Sequence, residues 1–149
     1  MTDICFRAMQ DADLDEVQRI EQQAFSHPWK RTLYQDALER YQCWVMQRAG
    51  QHIGHAVVQY IVDEAHLLNI VIAVEQQGSG YGRQLLEFVL TQAEQQKSKE
   101  CYLELRQSNQ GAYALYEQLG FNEIGRRNNY YPAAQGHEDA IVMACTLAL

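Results

Sequence analysis

Gln77-Gly78-Ser79-Gly80-Tyr81-Gly82-Arg83 sets three glycines at alternate positions. An apolar run, Ile70-Val71-Ile72-Ala73-Val74, precedes them, and Leu85, Leu86 and Val89 follow at helical spacing. A strand, a glycine loop and a helix start make an anion site, because unbonded N–H groups and the positive end of the helix dipole converge there. Some 20 residues on, Glu104 stands in a strictly alternating stretch: Cys101, Leu103 and Leu105 face one way, and Tyr102, Glu104 and Arg106 the other. With helical patterns on either side, that strand is expected to be covered on both faces. Burial raises a carboxyl pKa and would make Glu104 a general base near neutral pH. The plainer reading is a solvated Glu paired with Arg106 or a lysine. Asn109 and Tyr116 are two helical turns apart and share one face. Asn109 suits a ligand contact or a helix cap, and Tyr116 a general acid or a packed core ring.

Two common phosphate loops fit this spacing poorly. A Walker loop needs Lys-Ser/Thr after its last glycine, and Gly82 is followed by Arg83-Gln84. The dinucleotide fingerprint needs Gly-x-Gly-x-x-Gly, and here the order is Gly-x-Gly-x-Gly. What remains is Gln-x-x-Gly-x-Gly, on Gln77, Gly80 and Gly82.

The elements that must hold these residues read in the order β-α-α-β-β-β-α-β-α-β-β. Residues 4–9 form a strand, and Asp11 offers an N-cap. Leu14, Val17, Ile20, Ala24 and Phe25 give an apolar stripe, with Glu21 on the polar face. His27-Pro28-Trp29 breaks this helix, and a second runs over 30–40. Strands over 43–48 and 52–62 flank a hairpin turn, and 65–74 reads as a central strand. A helix covers 82–96, a strand 100–106, and a helix after Asn109 ends at Gly120. Two strands follow, near 121–131 and 138–147. The fold class is α/β: a mixed, mostly antiparallel central sheet flanked by helices, in one domain over 1–149.

Composition narrows the function. Apolar residues make up 47% of 149, enough for a packed core. The net charge of −7 argues against direct nucleic-acid binding and permits a basic protein partner. The sequence has neither a signal-peptide pattern nor an apolar run of membrane-spanning length, so a cytoplasmic protein is expected. Cys5, Cys43, Cys101 and Cys145 form no Cys-x-x-Cys pair and are expected to be reduced and buried. The five histidines lack metal-ligand spacing. His52 and His55, three apart on a strand, are expected on opposite faces.

Taken together, the motifs resemble the GNAT superfamily of N-acetyltransferases, which hold acetyl-coenzyme A. The carriers are the loop, Leu103-Glu104-Leu105-Arg106-Gln107-Ser108-Asn109, and Ala114-Leu115-Tyr116-Glu117-Gln118-Leu119-Gly120-Phe121. Pro28-Trp29, Asp63-Glu64-Ala65, Asn69-Ile70, Arg127-Asn128 before Tyr130-Tyr131-Pro132, and Glu138-Asp139-Ala140-Ile141 are similar to the RimI type, the ribosomal-protein-alanine N-acetyltransferases. The resemblance implies that Glu104 deprotonates the acceptor amine and Tyr116 protonates the departing thiolate. It assigns the pantetheine arm and the thioester carbonyl to the backbone of Ile70, Val71 and Ile72. The pyrophosphate goes to Gln77, Gly78, Ser79, Gly80, Tyr81, Gly82 and Arg83, and Asn109 adds a coenzyme contact. Asp63, Glu64, Tyr130, Tyr131 and Glu138 become candidates for a basic protein N-terminus, most simply that of a ribosomal protein. No metal is implied. The chain departs from the family at Ala73-Val74-Glu75-Gln76, where Asp-Pro-x-Tyr/His is frequent, and at the doubled Asn128-Asn129.

A small-amine acetyltransferase, for a polyamine or aminoglycoside, and a non-catalytic acyl-coenzyme A sensor stay open as alternatives. Direct transfer in a ternary complex is expected, since a thioester needs no covalent enzyme intermediate for aminolysis. A Cys101 nucleophile is the competing route, with no neighbouring His in sequence to activate it.

Overall fold

In a computed structural model, which describes residues 3–147, seven strands form one mixed sheet in the order β1-β2-β3-β4-β5-β7-β6. The elements are β1 (Ile4–Ala8), α1 (Leu14–Ala24), α2 (Arg31–Arg40), β2 (Gln42–Arg48), β3 (Gln51–Ile61) and β4 (Glu64–Ile72). They continue with α3 (Tyr81–Gln95), β5 (Glu100–Arg106), α4 (Gln110–Gln118), β6 (Asn122–Ala133) and β7 (Gly136–Thr146). Neighbours β1–β2, β2–β3, β5–β7 and β6–β7 run antiparallel, while β4 and β5 run parallel over Glu64–Leu67 and Glu100–Leu103. The expected element order and the α/β class are both observed. The third strand of the expected central run stops at Ile72, and a short 3-10 turn, Val74–Gln76, leads into the glycine loop.

By its contacts the chain divides into two compact units. The first holds the residues up to Gln59 together with Leu68–Val89. One of its cores gathers Met9, Leu14, Val17, Tyr34, Ala37, Cys43, Val45 and Val57. The second holds Tyr60–Leu67 and the residues from Leu90 on. There Cys101, Leu103 and Leu105 of β5 and Ile141, Met143 and Cys145 of β7 are all buried. These six lie on one face of the β5–β7 ladder, because Cys101, Leu103 and Leu105 stand opposite Cys145, Met143 and Ile141.

Three expectations are corrected in the first unit. Asp11 does not cap α1: it opens a 3-10 turn, Asp11–Asp13, that precedes the helix, and the Asp13 carboxylate closes that turn, accepting the Gln10 N–H at 2.8 Å and a two-pronged Arg7 guanidinium at 2.7 and 2.8 Å. Glu21 is not on a polar face; it is 0% exposed. Leu14, Val17 and Glu21 follow the i, i+3, i+7 spacing of one helix face, so position overrides charge. His52 and His55 do not point apart, because their ring nitrogens Nε2 and Nδ1 lie 3.1 Å from each other. The cause is a bulge: Met46 pairs with Gly54 but Gln47 pairs with His52, so Ile53 is an extra residue. His52 and His55 then stand opposite Gln47 and Val45, two apart on β2 and on one face.

Among the cysteines, Cys43, Cys101 and Cys145 are free and buried as expected, whereas Cys5 is free but exposed. No helix among the described residues is long and apolar enough to cross a membrane.

Candidate active site

The glycine loop has the backbone geometry that an anion site needs. Gly78 and Gly80 have φ of +84° and +87°, a left-handed backbone that glycine alone adopts without strain. A Cβ at either position would meet nothing within 4 Å, so conformation and not crowding requires glycine, and the space beside the backbone is open. The Gln84 N–H bonds back to the Gly80 carbonyl at 3.1 Å, starting α3. The amides ahead of it, in the first turn, have no partner within the helix and present a set of donors with the dipole behind them. Gln77 fixes the loop to the strand: its Nε2 donates to the Ile72 carbonyl at 2.9 Å. The Ala73 N–H donates to the Ile53 carbonyl at 2.8 Å. Gly54 lets β4 lie close, since a Cβ there would stand 2.8 Å from the Val71 carbonyl oxygen. Arg19 of α1 reaches Glu75, in the 3-10 turn before the loop, at 2.9 Å.

In the second unit, Glu104 lies on the half-exposed face of β5. Its side chain is 30% exposed, not enclosed on both sides, and its partner is neither Arg106 nor a lysine. Arg127 Nε donates to Glu104 Oε1 at 2.8 Å. The register explains this reach. Glu104, Val142 and Gly125 stand opposite one another across β5, β7 and β6, and Arg127 stands opposite Ala140. The Arg127 guanidinium therefore reaches diagonally across β7 to Glu104. Arg106 instead meets Glu138 at 3.2 Å and the Pro132 carbonyl at 2.6 Å, and its cation lies 4.6 Å from the Tyr131 ring centre.

Tyr116 is buried on α4, and that burial pushes its hydroxyl up to about 12, with Tyr131 and Cys101 adding smaller pushes. At neutral pH it is a phenol with a proton to give. The backbone of α4 pins it: Gly120 N–H bonds to the Glu117 carbonyl at 3.1 Å and Phe121 N–H to the Tyr116 carbonyl at 3.0 Å. With Gly120 at φ +98°, these are the two bonds of a Schellman ending, and the Phe121 ring packs 5.8 Å from Tyr116. Asn109 caps α4, its Oδ1 accepting the Ala112 N–H at 3.2 Å. Tyr131 is also raised to about 12, chiefly by burial and next by the Glu104 carboxylate. Tyr131 thus feels the Glu104 carboxylate on one side and Tyr116 on the other. Cys101 is 0% exposed and burial lifts its thiol to about 12, which leaves no thiolate to attack a thioester at neutral pH.

Of the acceptor candidates, the structure keeps some with Glu104 and separates others. Tyr130 is exposed and packs edge-on against Tyr131 at 5.0 Å, with Arg127 over its ring at 5.6 Å. Glu138 is already engaged, accepting from Ser108 N–H at 2.8 Å and Ser108 Oγ at 3.1 Å besides Arg106. These bonds hold the carboxyl below its ordinary range, the backbone bond foremost. Asp63 and Glu64 sit elsewhere. Glu64 pairs with Glu100 in the ladder, four residues before Glu104, a distance of about 13 Å along a strand. There Asp63 faces Lys99 at 3.7 Å and Glu64 faces His66 at 2.9 Å. Among the described residues no group of three or more His, Cys, Asp or Glu could hold a metal ion. The sequence reading passed over Arg127 as a partner for Glu104 and Glu21 as a buried group. The i, i+3, i+7 spacing could have revealed Glu21, whereas Arg127 depends on strand order.

The Acetyltransferase (GNAT) family model matches residues 14–121. The ribosomal protein bS18-alanine N-acetyltransferase of Escherichia coli (strain K12) is 39% identical over 143 residues, 95% of this chain and 97% of its own. That of Salmonella typhimurium is 42% identical over 138 residues, 92% and 93% of the two chains. The crystal structure of the Escherichia coli ribosomal-protein-S18-alanine N-acetyltransferase shares the fold at a TM-score of 0.92, with 37% identity, over 98% of this chain and 95% of that one. With a glycine loop of the geometry an anion site needs, a carboxylate and a protonated phenol on either side of Tyr131, and likeness along nearly its whole length, this chain belongs to the GNAT family of acetyltransferases.

Proposed function

We propose that this protein transfers acetyl from acetyl-coenzyme A to the α-amine of the N-terminal alanine of ribosomal protein bS18. The observation that carries this reading is near full-length identity, 39% over 143 residues, to an enzyme named for that acceptor. Residues 1–149 act as one N-acetyltransferase domain in the cytoplasm. The pyrophosphate of the coenzyme lies against the amides of residues 78–83, held in shape by Gln77. The backbone of Ile70, Val71 and Ile72 carries the pantetheine arm, and an N–H there meets the carbonyl oxygen as it becomes an oxyanion. Asn109, besides capping α4, contributes to the coenzyme side.

Glu104 takes the proton from the acceptor. A peptide α-amine has a pKa of about 8, so a modest base suffices at neutral pH. The free amine then attacks the thioester carbonyl; as the C–S bond breaks, Tyr116 protonates the departing thiolate, and the proton shed by the acylated nitrogen restores the phenol. Arg127 holds Glu104 until the acceptor ammonium takes its place; both are cations, and one carboxylate serves each in turn. Tyr130 and Tyr131 line the acceptor side with Glu138. Asp63 and Glu64 meet only a part of the acceptor about four extended residues beyond the reacting amine. An acidic protein, −7 overall, suits a basic chain of this kind.

The test is turnover of acetyl-coenzyme A with an Ala-starting basic peptide, a polyamine, or no acceptor. Peptide preference is expected, and polyamine preference overturns the reading. Mass spectrometry of ribosomal protein N-termini, with and without the gene, decides the acceptor: bS18 is expected to lose its acetyl group when the gene is absent.

A further inference from the structure

Glu21 has no part in the chemistry above, yet its carboxylate accepts four hydrogen bonds. Its Oε1 accepts from Tyr34 Oη at 2.5 Å, Asn69 Nδ2 at 2.8 Å and His55 Nε2 at 3.2 Å. Its Oε2 accepts from the Trp29 backbone N–H at 3.2 Å. Asn69 Nδ2 also donates to Tyr34 Oη at 2.8 Å. None of these partners is a lysine or an arginine. On the other side of the His55 ring, Nδ1 lies 3.1 Å from His52 Nε2. Four elements and the segment between α1 and α2 therefore meet at one carboxylate.

A carboxylate at such depth persists only because donors surround it. An apolar side chain could fill the same space without needing them. What the carboxylate adds is placement. Asn69 directly precedes Ile70, and Gln77 binds the Ile72 carbonyl at the other end of the same three residues. Between these two anchors the Val71 backbone passes over Gly54. The strand segment is clamped at both ends by side-chain hydrogen bonds, one from the glycine loop and one to Glu21.

We propose that Glu21 is a positioning residue for acyl transfer: through Asn69, its buried carboxylate fixes the backbone of Ile70, Val71 and Ile72 at the height where it meets the thioester. This rests on the reading that those three residues carry the acyl arm. A misplacement of about 1 Å at a reacting group can lower a rate on the order of 100-fold, so a hydrogen bond one residue away is enough to matter. The Trp29 bond ties the α1–α2 segment to the same node.

Glu21→Gln keeps the shape and one acceptor oxygen, but turns an NH2 group toward the Trp29 N–H. Asn69→Ala, at a half-buried position, removes the link to β4 and leaves Glu21 with three donors. Each full-length variant is assayed well below its melting temperature for kcat and for KM toward acetyl-coenzyme A and an Ala-starting peptide. Amide hydrogen exchange at Ile70, Val71 and Ile72 is measured alongside, without ligand. Both variants are expected to lower kcat tenfold or more, to keep the acetyl-coenzyme A KM within threefold, and to speed exchange at Ile70 and Val71. A lower melting temperature with kcat within twofold of wild type makes Glu21 a structural residue only and overturns the proposal. If Glu21→Gln does not fold, Asn69→Ala decides by the same criteria. If the wild-type chain turns over no amine, the proposed function fails by itself. Exchange then judges Glu21 alone: rates equal to wild type overturn its positioning role, and faster rates support it.

Discussion

Two glutamates, Glu21 on α1 and Glu104 on β5, occupy opposite kinds of surroundings. Glu21 is fully buried and meets four donors, none of them a lysine or an arginine. Glu104 is partly open to water and meets one cation, Arg127. The first is held from every side and cannot exchange its partners without opening the core. The second is held by a long, solvated side chain that can swing aside. A general base must give up its resting partner for each acceptor, so the loose ion pair is the workable arrangement. In the proposed mechanism the base is therefore Glu104 and not the more deeply buried Glu21.

The sharpest way to break this contrast is to remove each charge. Glu104→Gln is expected to lower turnover of an Ala-starting peptide by about 10² to 10⁴, the range of general acid–base catalysis, while the melting temperature stays nearly unchanged. Full activity across pH would falsify its role as the base. Glu21→Leu is expected to do the reverse first. It strands four donors, and at about 1 kcal/mol each it lowers the unfolding free energy by roughly 4 kcal/mol in urea titration. A loss no larger than that of Glu104→Leu would erase the distinction between the two sites.

A third measurement sharpens the contrast through pH. Burial, then the neighbouring His55, pushes His52 down to about 4 from an ordinary 6.5, against smaller opposing effects of Asp13 and Glu16. The native state keeps His52 neutral, while the unfolded chain takes up a proton below pH 6.5. Stability is therefore full above pH 6.5 and falls as pH drops toward 4, by about 3 kcal/mol in total. His52→Gln should flatten the curve between pH 6.5 and 5, above the range where the carboxylates titrate. An unchanged slope there would show that His52 is not the group responsible. The smallest effect is expected at Cys101→Ala, with turnover per folded molecule within twofold of wild type. A hundredfold loss would revive a thiol intermediate against the burial that holds Cys101 near 12.

Much of the site was legible in the chain. The Gln77-x-x-Gly80-x-Gly82 loop could be read because left-handed backbone at Gly78 and Gly80 is a local property of glycine. The cap at Asn109 and the ending at Gly120 are local for the same reason. Strict alternation placed Glu104 on the opposite face from Cys101, Leu103 and Leu105, and the structure keeps it there. The error lay in supposing that face covered. A period of two says which residues share a face, and only packing says whether anything lies over it.

The sequence by itself determined the element order, the strand–glycine loop–helix succession and the faces of β5, since each follows from dihedral preferences and periodicity over a few residues. Tertiary structure alone decided the partners. Arg127 reaches Glu104 across 23 positions because β7 lies between β5 and β6. Asn69 reaches Glu21 across 48 positions. His52 meets His55 because one bulged residue turns a three-residue spacing onto one face. Hydrogen bonds and ion pairs act over about 3 Å, so which groups feel each other is set by strand order and register, and these exist only once the chain has folded.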